Sequence, residues 1–179
     1  MKKNYGYLFL LFGLAGILFS SCATSASAYI ASLRGHSQQD KQYKVEYIER
    51  SQYDVADVTF KGNAYLKEEA KKSAEVKQIE PDYKGIPSVG YIYCYLIGLT
   101  IDSGNPKSFT FILKDANGNE ILRKSGNDEI PSPEVTKYGT SWNSFQIIII
   151  DDENAQFPIT LRIVRLDNEY VDIKISKVE

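Results

Sequence analysis

From Tyr43 to the end, the chain is cut into short runs rich in β-branched and aromatic residues, separated by turn formers. This spacing is the signature of an antiparallel β-protein and leaves little room for a helical core. Strands are expected near 43–50, 54–61, 90–101, 108–114, 119–124, 143–150, 158–166 and 170–177, roughly eight, within the range of a sandwich. Two runs lack any polar alternation, Tyr91-Ile92-Tyr93-Cys94-Tyr95-Leu96-Ile97 and Ile147-Ile148-Ile149-Ile150. Such runs predict central strands buried on both faces.

Two hairpins carry enough pattern to fix a register. Asn117-Gly118 suits a type I′ turn and would set Leu113 across from Leu122. Between 158 and 177, Ile159, Leu161 and Ile163 alternate with polar residues, as do Val171, Ile173 and Ile175. All six share one face only if the loop has an odd length, which a three-residue loop Asp167 to Glu169 provides. One helix is expected near 64–79, with Asn63 as cap, Glu68 and Lys72 four apart, and Pro81 as the stop. Its apolar stripe, Leu66, Ala70 and Ala74, is thin and needs a sheet to cover. The fold class that follows is an all-β antiparallel sandwich with one covering helix.

The first 21 residues have a different character. Lys2 and Lys3 precede an uncharged run from Tyr7 to Phe19, the n-region and h-region of an export signal. The run is shorter than the roughly 20 apolar residues of a membrane span and is broken by Gly13 and Gly16. It closes on Leu18-Phe19-Ser20-Ser21-Cys22, which resembles the lipobox of bacterial lipoproteins, with Phe19 where the common pattern has Leu. The resemblance covers only these first two dozen residues. It implies that the thiol of Cys22 takes a diacylglycerol, that residues 1–21 are removed, and that the new amine is acylated, usually with palmitate. Because each buried methylene contributes about 0.8 kcal/mol, two or three chains on one residue would hold the protein in a bilayer. With Ala23 after the cysteine, resemblance to enteric lipoproteins points to the outer membrane of a diderm bacterium. An ordinary signal cut at Ala26-Ser27-Ala28 is the competing reading.

Removing residues 1–21 leaves 158 residues and takes the basic count from 21 to 19 against 23 acids. One domain is expected at this size, and the mild acidity argues against nucleic acid as a partner. Residues 22–42 are small and polar and read as a lipidated tether, leaving 43–179 as the β-domain. If Cys22 carries lipid, Cys94 has no cysteine to pair with and belongs in the core.

The same counts thin the chemistry. The one histidine, His36, falls in the tether, which disfavours Ser-His and Cys-His couples and leaves zinc without its usual ligands. No cofactor is called for. Carboxylates at Asp151-Asp152-Glu153 could ligate calcium, and Asp115 to Glu120 faintly resembles a calcium loop, though hairpin turns use the same residues. The connection from Ser125 to Trp142 is long for a compact domain and ends with Tyr138 and the sole tryptophan, Trp142. A second loop, Glu80 to Gly90, carries Tyr83 and Lys84. These four residues are candidates for a ligand site, with Trp142 as a core plug the alternative. The expected function is therefore a non-enzymatic envelope lipoprotein binding a protein or glycan through its loops. The alternative is a structural or assembly subunit of a membrane complex, which would show an apolar patch or an open strand edge.

Overall fold

The computed structural model describes residues 39–49, 55–137 and 139–178. The signal, Cys22 and most of the tether, with His36, lie outside the described residues, as does Tyr138. Among the described residues the chain forms nine strands: β1 (Tyr43–Glu49), β2 (Val55–Gly62), β3 (Gly90–Gly98), β4 (Phe109–Lys114), β5 (Glu120–Ser125), β6 (Ser132–Thr136), β7 (Gly139–Ile150), β8 (Ile159–Arg165) and β9 (Tyr170–Lys177). They build two antiparallel sheets, ordered β1-β9-β8-β4-β5 and β2-β3-β7-β6. The fold is an all-β sandwich.

Alternation explains the core. Ile159, Leu161 and Ile163 on β8 and Val171, Ile173 and Ile175 on β9 all point inward and are buried. Opposite them lie Val58, Phe60, Ile92, Cys94, Leu96, Ile148 and Ile150 of the smaller sheet, joined by Phe109, Phe111 and Leu113 of β4. Each such side chain contributes on the order of 1.5–3 kcal/mol on leaving water. Tyr43, Phe60 and Phe157 meet at centroid distances of 4.5–5.8 Å and close one part of this core.

The first hairpin has the expected register and a different turn, whereas the second keeps the expected shared face with its pairing shifted by two residues, Leu161 standing opposite Ile173 and Ile163 opposite Val171. Leu113 does pair with Leu122, but the turn is not type I′, because only Gly118 takes positive φ. Gly118 N–H donates to Asp115 O and Asp115 N–H to Asn119 O, a three-residue loop with a bulge. The β8–β9 hairpin repeats this plan. Arg165 N–H donates to Glu169 O, Asn168 N–H to Arg165 O, and Asn168 sits at φ 65. Its loop is 166–168, still odd, so the six apolar residues share a face.

α1 (Asn63–Lys77) follows β2 without a break. Its cap is Gly62 rather than Asn63, whose side chain instead donates to Pro87 O at 2.6 Å. Gln78 turns left-handed at φ 55, and Ile79 N–H donates to Ala74 O. Leu66 and Ala74 are buried, and the expected Glu68–Lys72 pair forms at 3.6 Å. Lys61 of β2 ties the helix down. Its ammonium lies 2.8 Å from Glu69 and 5.3 Å from the ring centroids of both Tyr65 on the helix and Tyr93 on β3. The helix thus covers the outer face of the smaller sheet at β2 and β3.

Four sequence expectations change. The strand expected over 90–101 ends at Gly98, and Ile101–Gly104 forms a helical turn, α2, because Thr100 and Ser103 exchange capping bonds. The long connection 125–142 is no single loop, since it holds β6 and the first turn of the β6–β7 hairpin. The Ile147–Ile150 run is not buried on both faces: Ile148 and Ile150 are in the core, whereas Ile147 and Ile149 are exposed. The packed unit also begins before Tyr43, because Gln39 accepts from Phe60 N–H and buried Asp40 accepts from Gln42 and Gly62 N–H.

Candidate functional site

Among the described residues, the loop candidates Trp142, Tyr83 and Lys84 do not converge. Trp142 is half-buried on β7, across from Gly98 of β3 and Pro133 of β6, on the inward-facing row that continues through Ser144, Gln146, Ile148 and Ile150. Gly104 of α2 approaches its backbone so closely that an added Cβ would lie 2.4 Å from Trp142 O. Tyr83 and Lys84 are exposed on the connection into β3. That connection is fastened at the other end of the strand, where Val89 N–H donates to Ile150 O, Ser88 N–H to Asp151 Oδ1, and Tyr91 Oη to Gly85 O. Gly90 and Gly98 stand about 26 Å apart at ~3.3 Å per residue.

The carboxylates hold backbone N–H groups of their own turns or, for Asp151, of the neighbouring connection. Asp115 accepts from Asn117 and Asn119 N–H at 2.9 Å each, Asp151 from Ser88 N–H, and Asp152 from Asn154 N–H. Among the described residues, no three His, Cys, Asp or Glu side chains gather as a metal site would require. A shallow basin of about 450 Å³ lies at the start of β1, lined by Lys41, Gln42, Tyr43, Lys177 and Val178, with no carboxylate in its wall.

The feature that does stand out is the outer face of β3 and β7. Register places Tyr91 beside Ile149, Tyr93 beside Ile147 and Tyr95 beside Phe145. Tyr91 and Tyr93 meet edge to face at 6.1 Å, and Tyr95 packs on Phe145 at 4.8 Å. The tyrosine row is partly sheltered; burial, then the nearby Glu69 carboxylate, pushes the Tyr93 phenol above its ordinary range. The β7 row is open. Phe145 is 50%, Ile147 44% and Ile149 57% exposed.

The edge of β7 beside that row is open as well. β6 pairs only with Gly139 to Asn143, so among the described residues no strand lies against Ser144 to Ile150 on the side away from β3. Ile150 O faces β3, where it accepts from Val89 N–H, whereas Ile147 O accepts from the side-chain amide of its neighbour Gln146 at 2.9 Å. Carbonyl direction alternates along a strand, so Phe145, Ile147 and Ile149 turn their N–H and C=O groups to the free edge. Gln146 is itself held by Asn127 N–H at 2.9 Å.

This site was hidden in the sequence, because an isoleucine run is apolar at both parities and looks the same whether one face or two are covered. The signal available was that Ser144 to Ile150 carries no charge while the chain's other edge strands do. The arrangement offers apolar side chains at Phe145, Ile147 and Ile149 beside a strand edge that no described strand covers. No family model, curated protein or solved structure matches the chain.

Proposed function

We propose that this protein is a non-catalytic assembly subunit of a bacterial envelope complex, held at the membrane by lipid on Cys22 and docking other protein through β7. The observation that carries the reading is the exposed row Phe145, Ile147, Ile149 beside an unpaired strand edge. Folded proteins usually shield such edges with charge, proline or a covering element, because an open one recruits another strand. A ligand site on the loops is the weaker choice, since Trp142 and Tyr83 lie at opposite ends of β3. The lipobox-like junction before Cys22 supports the anchor, and Ala23 supports the outer membrane as its location.

Two measurements test it. Metabolic labelling with an alkyne-bearing palmitate should mark the wild-type chain and not Cys22→Ser. A photo-crosslinking benzoylphenylalanine at Ile147 in intact cells should yield adducts well above the mass of the chain, whereas the same group at Ile130, also exposed, should yield few. Equal adducts at both positions, or none at Ile147, would remove the assembly reading.

A further inference from the structure

The partner strand can be specified further. On the assembly reading just given, we infer that a second copy of this chain occupies the β7 edge, the two β7 strands pairing antiparallel about a two-fold axis at Ile147.

Three observations lead there. The open segment Ser144-Phe145-Gln146-Ile147-Ile148-Ile149-Ile150 has no charged residue, whereas each strand at a sheet margin carries at least one: Lys44 and Glu46 on β1, Asp57 and Lys61 on β2, Glu120, Arg123 and Lys124 on β5, Glu134 on β6. A partner strand with charges on this face would set them beside apolar side chains and leave Phe145, Ile147 and Ile149 without apolar cover, so the row favours a strand as uncharged as itself. This chain's own β7 is such a strand.

The second observation is register. An antiparallel pair requires edge-facing residues to stand opposite edge-facing residues. With Ile147 on the axis, Ile147 meets its own copy and Phe145 meets Ile149 of the other copy, so every edge-facing residue finds a partner. The same surface serves both copies, as a closed two-fold interface demands. Ile147 O, which already accepts from Gln146, keeps a second lone pair for this contact.

The third is clearance. The strand stops at Ile150 and the chain turns away at once, with Ala155 N–H donating to Asp152 O and Asn154 N–H to Asp152 Oδ1. The incoming strand therefore ends opposite Ser144, one residue short of Asn143, where β6 begins to occupy the edge. Joined this way, two four-stranded sheets become one of eight, and the exposed rows of Phe145, Ile147 and Ile149 lie side by side.

Cysteine crosslinking of the full-length chain in intact cells reads this register. Ile147→Cys should give a disulfide-linked dimer under mild oxidation, because hydrogen-bonded antiparallel partners have Cα atoms about 5.5 Å apart, within disulfide reach. Ile149→Cys alone should not, while Phe145→Cys with Ile149→Cys in one chain should. Cys94 gives little background because it is fully buried. Ile147→Lys should lower chemically crosslinked dimer by about tenfold or more by setting two charges face to face, with circular dichroism and melting of the detergent-extracted protein unchanged. Equal oxidation at Ile147, Ile149 and Ile101 would mean random encounter and overturn the pairing. If benzoylphenylalanine at Ile147 captures only a different protein, the second copy is wrong and assembly stands. If it captures nothing, both fall.

Discussion

Cys94 and Gln146 face each other across β3 and β7, a thiol and an amide on the same inward row, both closed to solvent. The amide is tied off by Asn127 and Ile147. The thiol marks where the core passes from apolar, at Ile148 and Ile150, to polar, at Gln146 and Ser144.

Burial pushes the Cys94 thiol far above the 9.0 of a free one. Because alkylation needs the thiolate and access, labelling of native protein by iodoacetamide should be slower than in urea by about a thousandfold or more if it waits for global opening. The sign of the pH effect follows. The folded thiol keeps its proton above pH 9.0 while the unfolded one releases it, so stability is whole below that pH and falls as the solution grows more alkaline, by up to about 1.4 kcal/mol per unit. Urea titrations from pH 8 to 11 should show this extra slope in the wild type and not in Cys94→Ala. Rapid native labelling at Cys94, located by mass spectrometry, would contradict the account.

Gly98, Gly104 and Trp142 are stacked with no room between them. A Cβ on Gly98 would lie 2.2 Å from Gly104 N, and one on Gly104 would lie 2.4 Å from Trp142 O. Gly104→Ala should therefore force α2 off β3 and β7, costing about 1–3 kcal/mol. The sole tryptophan reports on it: native emission should shift to the red in the variant. An unchanged melting temperature and spectrum would show that α2 yields without strain.

How much of this was legible depends on whether one residue type had one meaning. Polar alternation at Ile159, Leu161 and Ile163 admits a single inward face, so the core face of β8 and β9 could be read directly, whereas the pairing slipped by two residues because an odd loop one position earlier preserves the same face. Leu113 opposite Leu122 was read from the Asn117-Gly118 turn, and it held although the turn chemistry differed, because that dipeptide serves a bulged three-residue loop as well as a type I′ turn. The helix stripe at Leu66, Ala70 and Ala74 was legible for its spacing. By contrast, Ser132-Pro133-Glu134-Val135-Thr136 shows no strand pattern because an edge strand pairs through its backbone on one side only. Ile147 and Ile149 could not be told from Ile148 and Ile150, and with them went the site. Thr100-Ile101-Asp102-Ser103 held a capping signal that the preceding apolar run obscured.

The turn carboxylates predict behaviour in acid. The Asp115 carboxyl is raised by partial desolvation, but this is outweighed by hydrogen bonds from the Asn119 side chain and from the Asn119 and Asn117 amides, and its pKa lies below the usual 3.8. A lowered folded pKa favours the ionised form in the native state. The stability it brings is present above the unfolded value and is lost as pH falls through the folded one. Asp151, held down by Ser88 N–H, acts in the same direction. Melting temperatures between pH 2 and 6 should fall less steeply for Asp115→Ala than for the wild type. Parallel curves would show that the loop bonds do not persist in solution.

The last prediction concerns which ion pairs hold the larger sheet. Arg162 on β8 stands opposite Asp172 on β9 and forks onto it, Nε to Oδ1 at 2.8 Å and Nη2 to Oδ2 at 2.7 Å, with its guanidinium 4.2 Å from the Tyr170 ring. Lys44 and Glu46, along one strand at the margin, make a single contact at 2.5 Å with both side chains well exposed. Distance alone would rank the second pair first. Geometry reverses the order, because two parallel hydrogen bonds and a stacked plane fix the arginine, whereas water screens the lysine and its chain entropy opposes the contact. Double-mutant cycles by chemical denaturation should give about 1 kcal/mol of coupling for Arg162 with Asp172 and near zero for Lys44 with Glu46. Arg162→Lys should lose most of that coupling despite keeping the charge. Equal coupling in the two pairs, or full retention in Arg162→Lys, would show that charge and not the fork holds β8 to β9 at this point.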